Sequence, residues 1–208
     1  TRGRYSMDGV FPLARSLDSL GPLCHTVQDA AWVDAAMRGL PAGMALQPPA
    51  IRDLSFVIPE TVFFDDAQSE VVEAFELAAE RLAKAGAQIR REAFPDFSAI
   101  FDLMAKNGAL VTAEAFVLHR ERILGAAAAD MDPRVVKRTL LGEKITLTNY
   151  METLAERDRM IAAFEARLEP GAFLLKPTLP HVAPALQPLL EDEDLFFQMN
   201  GKTLRNTL

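Results

Sequence analysis

The sequence predicts an α/β fold, with α-helices flanking a mixed β-sheet. The main observation is a strand, a helix and a second strand in succession, at 55–58, about 67–85 and 88–91. The helix carries apolar residues at intervals of three and four, and each strand is a short run bounded by turn residues. A further apolar strand is predicted at 173–175, after several helical stretches. Strands that alternate with helices are the unit of sheets covered by helices.

The first helix is predicted from the residues at its two ends. Thr26 is a favoured N-cap residue, and Asp29, three positions later, completes an arrangement close to a capping box. Gly39 and Pro41 stop the helix. Together these signals predict a helix over about 27–37.

Three more helical stretches are predicted later in the chain. The first covers roughly 98–128, with an interruption or kink near Gly108. A short helix follows with Pro133 in its first turn, where proline is well tolerated. Thr148 is predicted to cap a third helix of about 149–168.

The chain beyond Pro180 carries no predicted helix or strand. It is rich in proline and then acidic. The four residues from Glu191 to Asp194 are expected to form a solvated charge run or a cap.

Composition excludes several classes of function. The 208 residues carry a formal net charge of −7 and a pI near 5.0, so the chain has no electrostatic footprint for nucleic acid or anionic lipid. No apolar run approaches the roughly 18–20 residues that span a bilayer. The three histidines lie far apart without a partner cysteine, so no metal site is predicted. We expect no nucleic-acid, membrane or metal partner.

Cysteine usage points to a compartment. Cys24 is the only cysteine, which rules out a disulfide within the chain. A reducing compartment, the cytoplasm, is therefore expected. We expect Cys24 to be a small core hydrophobe rather than a nucleophile paired with His25, because adjacent side chains seldom point at each other productively.

Both ends of the sequence look cut. The chain begins at Thr1 without an initiating methionine and ends on the apolar Leu208. We expect it to be a fragment of a longer chain, with residues 1–208 forming a single partial domain.

The first 29 residues hold an ordered set of glycine, proline, serine and aspartate positions. These positions are Thr1 to Ser6, Gly9, Val10, Pro12, Leu13, Ser16 to Pro22, Thr26, Val27 and Asp29. Their order resembles the stretch just downstream of the amidase signature in the amidase-signature family. An ordered match of this length is far more specific than any three-residue motif.

Three further stretches are similar to the same family. They are the strand–helix–strand between Glu70 and Ile89, the helix holding 155–157, and 173–175 followed by Pro177 to Pro180. The resemblance covers nearly the whole chain. In the pattern of its motifs, the chain is most similar to bacterial amidases of the indoleacetamide-hydrolase type. It implies that 1–208 is the middle-to-late portion of an amidase-signature domain.

The resemblance also implies a chemistry. Family members hydrolyse a carboxamide to a carboxylate and ammonia or an amine through a serine acyl-enzyme, without a metal or organic cofactor. A serine nucleophile, a second serine on a cis peptide and a neutral lysine do this work. The Gly/Ser-rich segment that carries the nucleophile has no counterpart in this sequence. No catalytic residue is therefore assigned, and the expected substrate is a small aryl or alkyl amide.

Four residues are candidates for substrate binding. The resemblance implies that the later half of the family's domain builds much of the acyl-side pocket, which Asn107, Thr112 and Glu114 are positioned to face. His181 follows an apolar strand, at the edge where open α/β sheets place ligand groups. The alternative for Asn107 and Glu114 is an ordinary polar face of a helix. No metal ligand is assigned.

Three other features have plainer interpretations. Asp18 is expected to hold a turn through hydrogen bonds to nearby backbone. The glycines of the opening segment are expected to serve turns rather than a phosphate cradle. The resemblance implies that the family's catalytic lysine lies much earlier in the chain. A structural or surface placement is therefore preferred for Lys176, which follows an apolar strand.

Two rival functions stay open. One is the glutamine amidase subunit of a tRNA-dependent amidotransferase, which shares the fold and works in a complex. The other is a non-catalytic structural or interaction module, since the chain holds no nucleophile assembly. The expected partners are a small-molecule amide, a second copy in a homodimer, or the missing catalytic portion. A sheet without its earlier strands also exposes edges, so the isolated chain is expected to be marginal or to self-associate.

Overall fold

The structure is a computed structural model that describes residues 3–41, 43 and 46–206. The chain divides into two compact units. Unit 1 comprises Thr1–Pro48 and Asp102–Arg159, and unit 2 comprises Pro49–Phe101 and Met160–Leu208. The single partial domain expected from the sequence stays a prediction.

Unit 2 contains a three-stranded parallel sheet. Strands β1 (Ser55–Pro59), β2 (Gln88–Glu92) and β3 (Ala172–Leu174) lie in the order β2-β1-β3. Helix α2 (Ser69–Lys84) connects β1 to β2, because parallel neighbours need a crossover connection. The predicted strand–helix–strand is present within a residue or two at each end, and the α/β fold class is confirmed.

The sheet and α2 share an apolar core. Ile58 of β1 packs with Phe75 and Ala79 of α2, which lie four residues apart on one helix face. Partly buried apolar residues close this cluster, among them Ile89 of β2. The buried stripe is the one that the spacing of apolar residues predicted.

Unit 1 is helical. Its helices are α1 (Val27–Met37), α4 (Leu110–Leu124) and α5 (Pro133–Leu140), with parts of α3 (Pro95–Asn107) and α6 (Leu147–Arg167). The Thr26 side chain accepts a hydrogen bond from the Asp29 N–H at 3.0 Å, which confirms the predicted cap of α1.

Gly108 separates α3 from α4, as the predicted interruption required. Its φ is +84°, a left-handed conformation that favours glycine. A Cβ atom at this position would lie 2.6 Å from Cδ1 of Ile145, whose side chain would have to shift.

The N-terminal cap of α6 differs from the prediction. The helix begins at Leu147, and the Oγ1 of Thr146 accepts from the Asn149 N–H at 3.1 Å. Thr148 lies inside the first turn, so its assignment as the cap is wrong by two residues.

Two helices follow Pro180 where none was predicted. These are α7 (Leu186–Glu191) and α8 (Glu193–Arg205). The acidic run acts as a cap, since the Asp192 carboxylate accepts from the Leu195 N–H at 2.9 Å. Within the described ranges, no helix combines the length and apolarity needed to cross a bilayer.

Candidate functional site

The opening segment of unit 1, which carries the ordered motif, is held by Asp18. One carboxylate oxygen accepts from the Leu13 N–H and the other from the Ala14 N–H, both at 3.0 Å. Ala14 is buried beneath this turn. The predicted structural role of Asp18 is confirmed.

A second carboxylate ties the start of the segment to α1. The Arg4 guanidinium donates to both oxygens of Asp34, at 2.5 and 2.7 Å, and the Tyr5 hydroxyl donates at 2.6 Å. The hydrogen bond from Arg4 holds the pKa of the Asp34 carboxyl well below its usual range. Arg4 and Tyr5 are thereby bound to α1, the helix that Thr26 caps.

Glu114 joins the motif to two helices. Its carboxylate accepts from both the N–H (2.9 Å) and the hydroxyl of Ser16, and from the Tyr150 hydroxyl at 3.1 Å. Burial, and then the hydrogen bond to Glu114, raises the pKa of Tyr150. Glu114 lies on α4 and Tyr150 on α6, so one half-buried carboxylate connects the motif, α4 and α6.

Further along α4, His119 binds the same segment. Its Nε2 lies 2.8 Å from the Pro12 carbonyl oxygen, which can only accept, so Nε2 carries the proton. The Phe11 ring stacks on the imidazole with centroids 5.0 Å apart, and the Arg122 guanidinium lies 5.3 Å from the centroid of Phe11. Residues 11–16, which we call the motif segment, therefore follow α4 from Arg122 back to Glu114.

Asn107 lies at the end of α3 and is 3 % exposed. Its side-chain N–H groups donate to the Thr153 hydroxyl at 3.2 Å and to Glu152 at 3.3 Å. Thr112 is half-buried on α4, and its carbonyl oxygen faces Gly142. Asn107 and Glu114 do not bond each other, but both bond residues of α6.

His181 belongs to unit 2 and is buried. Its Nδ1 lies 2.9 Å from the Val182 carbonyl oxygen and its Nε2 lies 3.0 Å from the Thr203 hydroxyl. Both ring nitrogens are thus engaged within unit 2, at the junction of the turn after β3 with α8.

Lys176 is partly buried and contacts Asn206 and Phe63. Its ammonium donates to the Asn206 carbonyl oxygen and lies 4.9 Å from the centroid of the Phe63 ring. Burial lowers the pKa of this lysine. Asn206 is fully buried and donates to the carbonyls of Phe63 and Pro177. The preference for a structural placement of Lys176 is consistent with these contacts.

The structure corrects the expectation for Cys24 and adds Tyr150 as a hydrogen-bonding partner of Glu114. Cys24 is exposed, so its assignment to the core is wrong. In the sequence, Tyr150 belongs to the apolar stripe of its helix, with Leu154, Ile161, Phe164 and Leu168. The signal for its second role is chemical, because a buried tyrosine needs a partner for its hydroxyl. In the part of the chain that the structure describes, no group of three or more His, Cys, Asp or Glu side chains is arranged to hold a metal.

Comparison with known proteins decides the family. The family model described as Amidase matches residues 1–201 of the 208. The chain belongs to the amidase family. The resemblance found in the first 29 residues therefore extends over almost the whole sequence.

Relatives within the amidase family differ in their named activities. The chain is 31% identical over its full length to 2-amino-5-chloromuconic acid deaminase of Comamonas testosteroni, covering 44% of that protein. It is 26% identical over 88% of its length to a glutamyl-tRNA(Gln) amidotransferase subunit of a Roseiflexus species, again covering 44%. An indoleacetamide hydrolase of Agrobacterium vitis is 31% identical over 41% of this chain and is covered over 18%.

A solved amidase structure shares the fold. It superposes with a TM-score of 0.77 at 27% identity, covering 89% of this chain and 41% of the other. The chain thus spans less than half the length of these amidase-family proteins.

Proposed function

We propose that the full protein carrying this sequence is an amidase. It hydrolyses a carboxamide to a carboxylate and ammonia through a serine acyl-enzyme, with no metal or organic cofactor. The observation that carries the proposal is the amidase family match over residues 1–201. The serine–serine–lysine triad is proposed to lie in sequence outside these 208 residues.

In this proposal unit 1 supplies a scaffold for the acyl side of the substrate pocket. Asn107, Thr112 and Glu114 remain its proposed substrate-binding residues. His181 is a separate substrate-binding proposal within unit 2. The hydrogen bonds that Glu114 accepts from Ser16 and Tyr150 support a positioning role, in which the carboxylate orders the motif segment. The backbone carbonyl of Thr112 lies against Gly142, and its hydroxyl is the group proposed to contact substrate.

The substrate is proposed to be a small aryl or alkyl amide. The deaminase relative acts, by its name, on an amino-substituted unsaturated acid, and its match covers all of this chain. Loss of an amino group, which the relative's name states, and hydrolysis of a carboxamide both break a C–N bond. Substrates that carry a carboxylate beside the reacting C–N bond therefore belong in the assay.

A second candidate is the glutamine amidase subunit of a tRNA-dependent amidotransferase. The match to the Roseiflexus amidotransferase protein, at 26% identity over 88% of the chain, supports it. This function would add partner proteins, whereas the first proposal requires at most a homodimer or the rest of the same chain. A cytoplasmic location suits both, since the single cysteine, Cys24, is exposed and has no cysteine in this chain to pair with.

The test is ammonia release by the full protein from three substrate groups: aryl and alkyl amides, glutamine, and 2-aminomuconate-type acids. The first proposal expects turnover of the amides that a serine-directed reagent abolishes. Turnover confined to glutamine would replace it with the amidotransferase function. No turnover in any group, with an intact fold, would contradict both and favour a non-catalytic module.

A further inference from the structure

Unit 1 has an open surface pocket of about 410 Å³ between the motif segment and α4. Its apolar part is formed by Phe11, Pro12 and Leu118, and its rim carries Arg15, Glu121 and Arg122. Phe11 is 68 % exposed, so its ring is accessible to a ligand from solvent.

The walls of this pocket are ordered before any ligand arrives. The imidazole of His119 binds the Pro12 carbonyl and stacks on Phe11, while Arg122 covers the ring. Earlier on the same helix, Glu114 clamps the other end of the segment through Ser16. A segment held at both ends loses little conformational freedom on binding, which favours affinity.

The charges on the rim favour an anion. Among the described residues, neither Arg15 nor Arg122 forms an ion pair with an acidic side chain, although the chain as a whole carries a net charge of −7. The two guanidinium groups and the single Glu121 carboxylate leave a formal charge of +1 on the rim. That charge is balanced by a monoanion.

We propose that this pocket binds a small monocarboxylate with a planar apolar body, such as an arylcarboxylate. A guanidinium fork matches the two oxygens of a carboxylate, and Phe11, Pro12 and Leu118 offer apolar surface for the body. Glu121 opposes ligands with more than one negative charge. The proposal rests on the geometry of unit 1 and not on the proposed amidase activity.

The test is a ligand-detected NMR titration of benzoate against the full protein at low ionic strength. Benzamide is the neutral control of the same shape, and inorganic phosphate is the control without an apolar body. We expect Arg122→Gln to weaken benzoate binding about tenfold, the loss of one charge-assisted contact. Arg120→Gln removes the same charge from α4 at a position outside the pocket and should leave binding unchanged. Arg15→Gln provides an independent second variant with the same expected loss.

Three results would overturn the proposal. They are an equal affinity for benzamide, tighter binding of phosphate than of benzoate, and an affinity for benzoate that is the same in the Arg122→Gln and Arg120→Gln proteins. Benzoate held only at a catalytic centre elsewhere in the protein would give the last of these. Turnover of amides is not needed for any measurement, so failure of the proposed function and failure of this site remain distinguishable.

Discussion

Glu114 accepts hydrogen bonds from a residue 98 positions away and from another 36 positions away. Ser16 lies in the motif segment and Tyr150 on α6, so a single carboxylate connects three parts of unit 1. An amide at this position has only one acceptor oxygen, and its NH2 would face one of the donors.

Glu114→Gln is therefore expected to lower the stability of the protein by about 1–3 kcal/mol. The measurement is the thermal unfolding midpoint of the full protein. Glu143→Gln, which makes the same chemical change on an exposed side chain of unit 1, serves as the control. An equal midpoint for both variants would show that Glu114 does not order the segment.

The hydroxyl of Tyr150 gives a dependence on pH. Its pKa is raised in the folded protein above the ordinary tyrosine value of 10.0, so from pH 10 upward the unfolded chain loses this proton first. Stability contributed by the neutral hydroxyl is present below pH 10 and is lost as the pH rises through the folded pKa.

Tyr150→Phe is accordingly expected to be less stable than the parent at pH 8 and to lose less stability between pH 9 and 11. Unfolding midpoints at the three pH values measure this. The same midpoints are compared for Tyr5→Phe, because the pKa of Tyr5 is also raised, first by its hydrogen bond to Asp34. An alkaline loss that Tyr150→Phe leaves unchanged would contradict the assignment.

At the scale of secondary-structure elements, the start of α8 depends on an N-terminal cap. The sequence predicted either a cap or a solvated charge run for Glu191 to Asp194. Asp192 accepts from the Leu195 N–H, whereas Asp194 lies exposed in the first turn. Both carboxylates interact favourably with the positive end of the helix dipole. Only the Asp192 carboxylate accepts a hydrogen bond from a first-turn N–H group, that of Leu195.

We expect Asp192→Ala to cost about 1 kcal/mol more than Asp194→Ala. Hydrogen exchange of the first amides of α8 is the direct readout, since loss of a cap frays the terminus. Equal exchange in the two variants would mean that charge alone stabilises this end.

The contact between α4 and the turn after α5 depends on the absence of a side chain at Gly142. A Cβ atom there would lie 2.6 Å from Cβ of Phe116 and would also meet the Thr112 carbonyl, which belongs to helix backbone and cannot swing away. Gly142 is buried, so the helix and the turn would have to separate.

Gly142→Ala is expected to destabilise the protein by roughly 1–3 kcal/mol, as overpacking does. Gly201→Ala is the control, because Gly201 lies inside α8 with no atom within 4 Å of an added Cβ. Alanine there should raise stability by about 0.5–1 kcal/mol through helix propensity. Opposite signs for the two midpoint shifts are the expected result.

At the scale of the whole molecule, many large apolar side chains remain exposed. Leu23 is fully exposed, and Val27 and Leu147 are each more than three-quarters exposed. Phe173 of the outer strand β3 is half-exposed. Exposed apolar surface together with an open strand edge favours association.

The 208-residue chain by itself is therefore expected to self-associate, whereas the full protein is expected to form a defined species. Light scattering after size-exclusion chromatography of both proteins measures this difference. A monodisperse, cooperatively unfolding monomer of the 208-residue chain would contradict the expectation.

Much of the architecture was predictable because its signals are local. The cap at Thr26, the break at Gly108 and the apolar stripe of α2 each act over a turn of helix, and each is present in the structure. The family also followed from local order, since the motif lies within 29 consecutive residues. Local signals failed where two were equivalent, as with Thr146 and Thr148, or where prolines and acidic residues masked helices, as beyond Pro180.

The fold class, most of the helices and strands, the family and the turn held by Asp18 followed from sequence signals, whereas substrate binding by Glu114 stays a prediction. Folding in three dimensions was needed to learn that Glu114 is shared by Tyr150 and Ser16, that Lys176 lies over Phe63, and that Cys24 is exposed. The physical reason is range. A cap or a stripe is selected by neighbours three or four residues away, whereas a hydrogen bond between residues 98 positions apart forms only after packing has brought the two helices and the segment together.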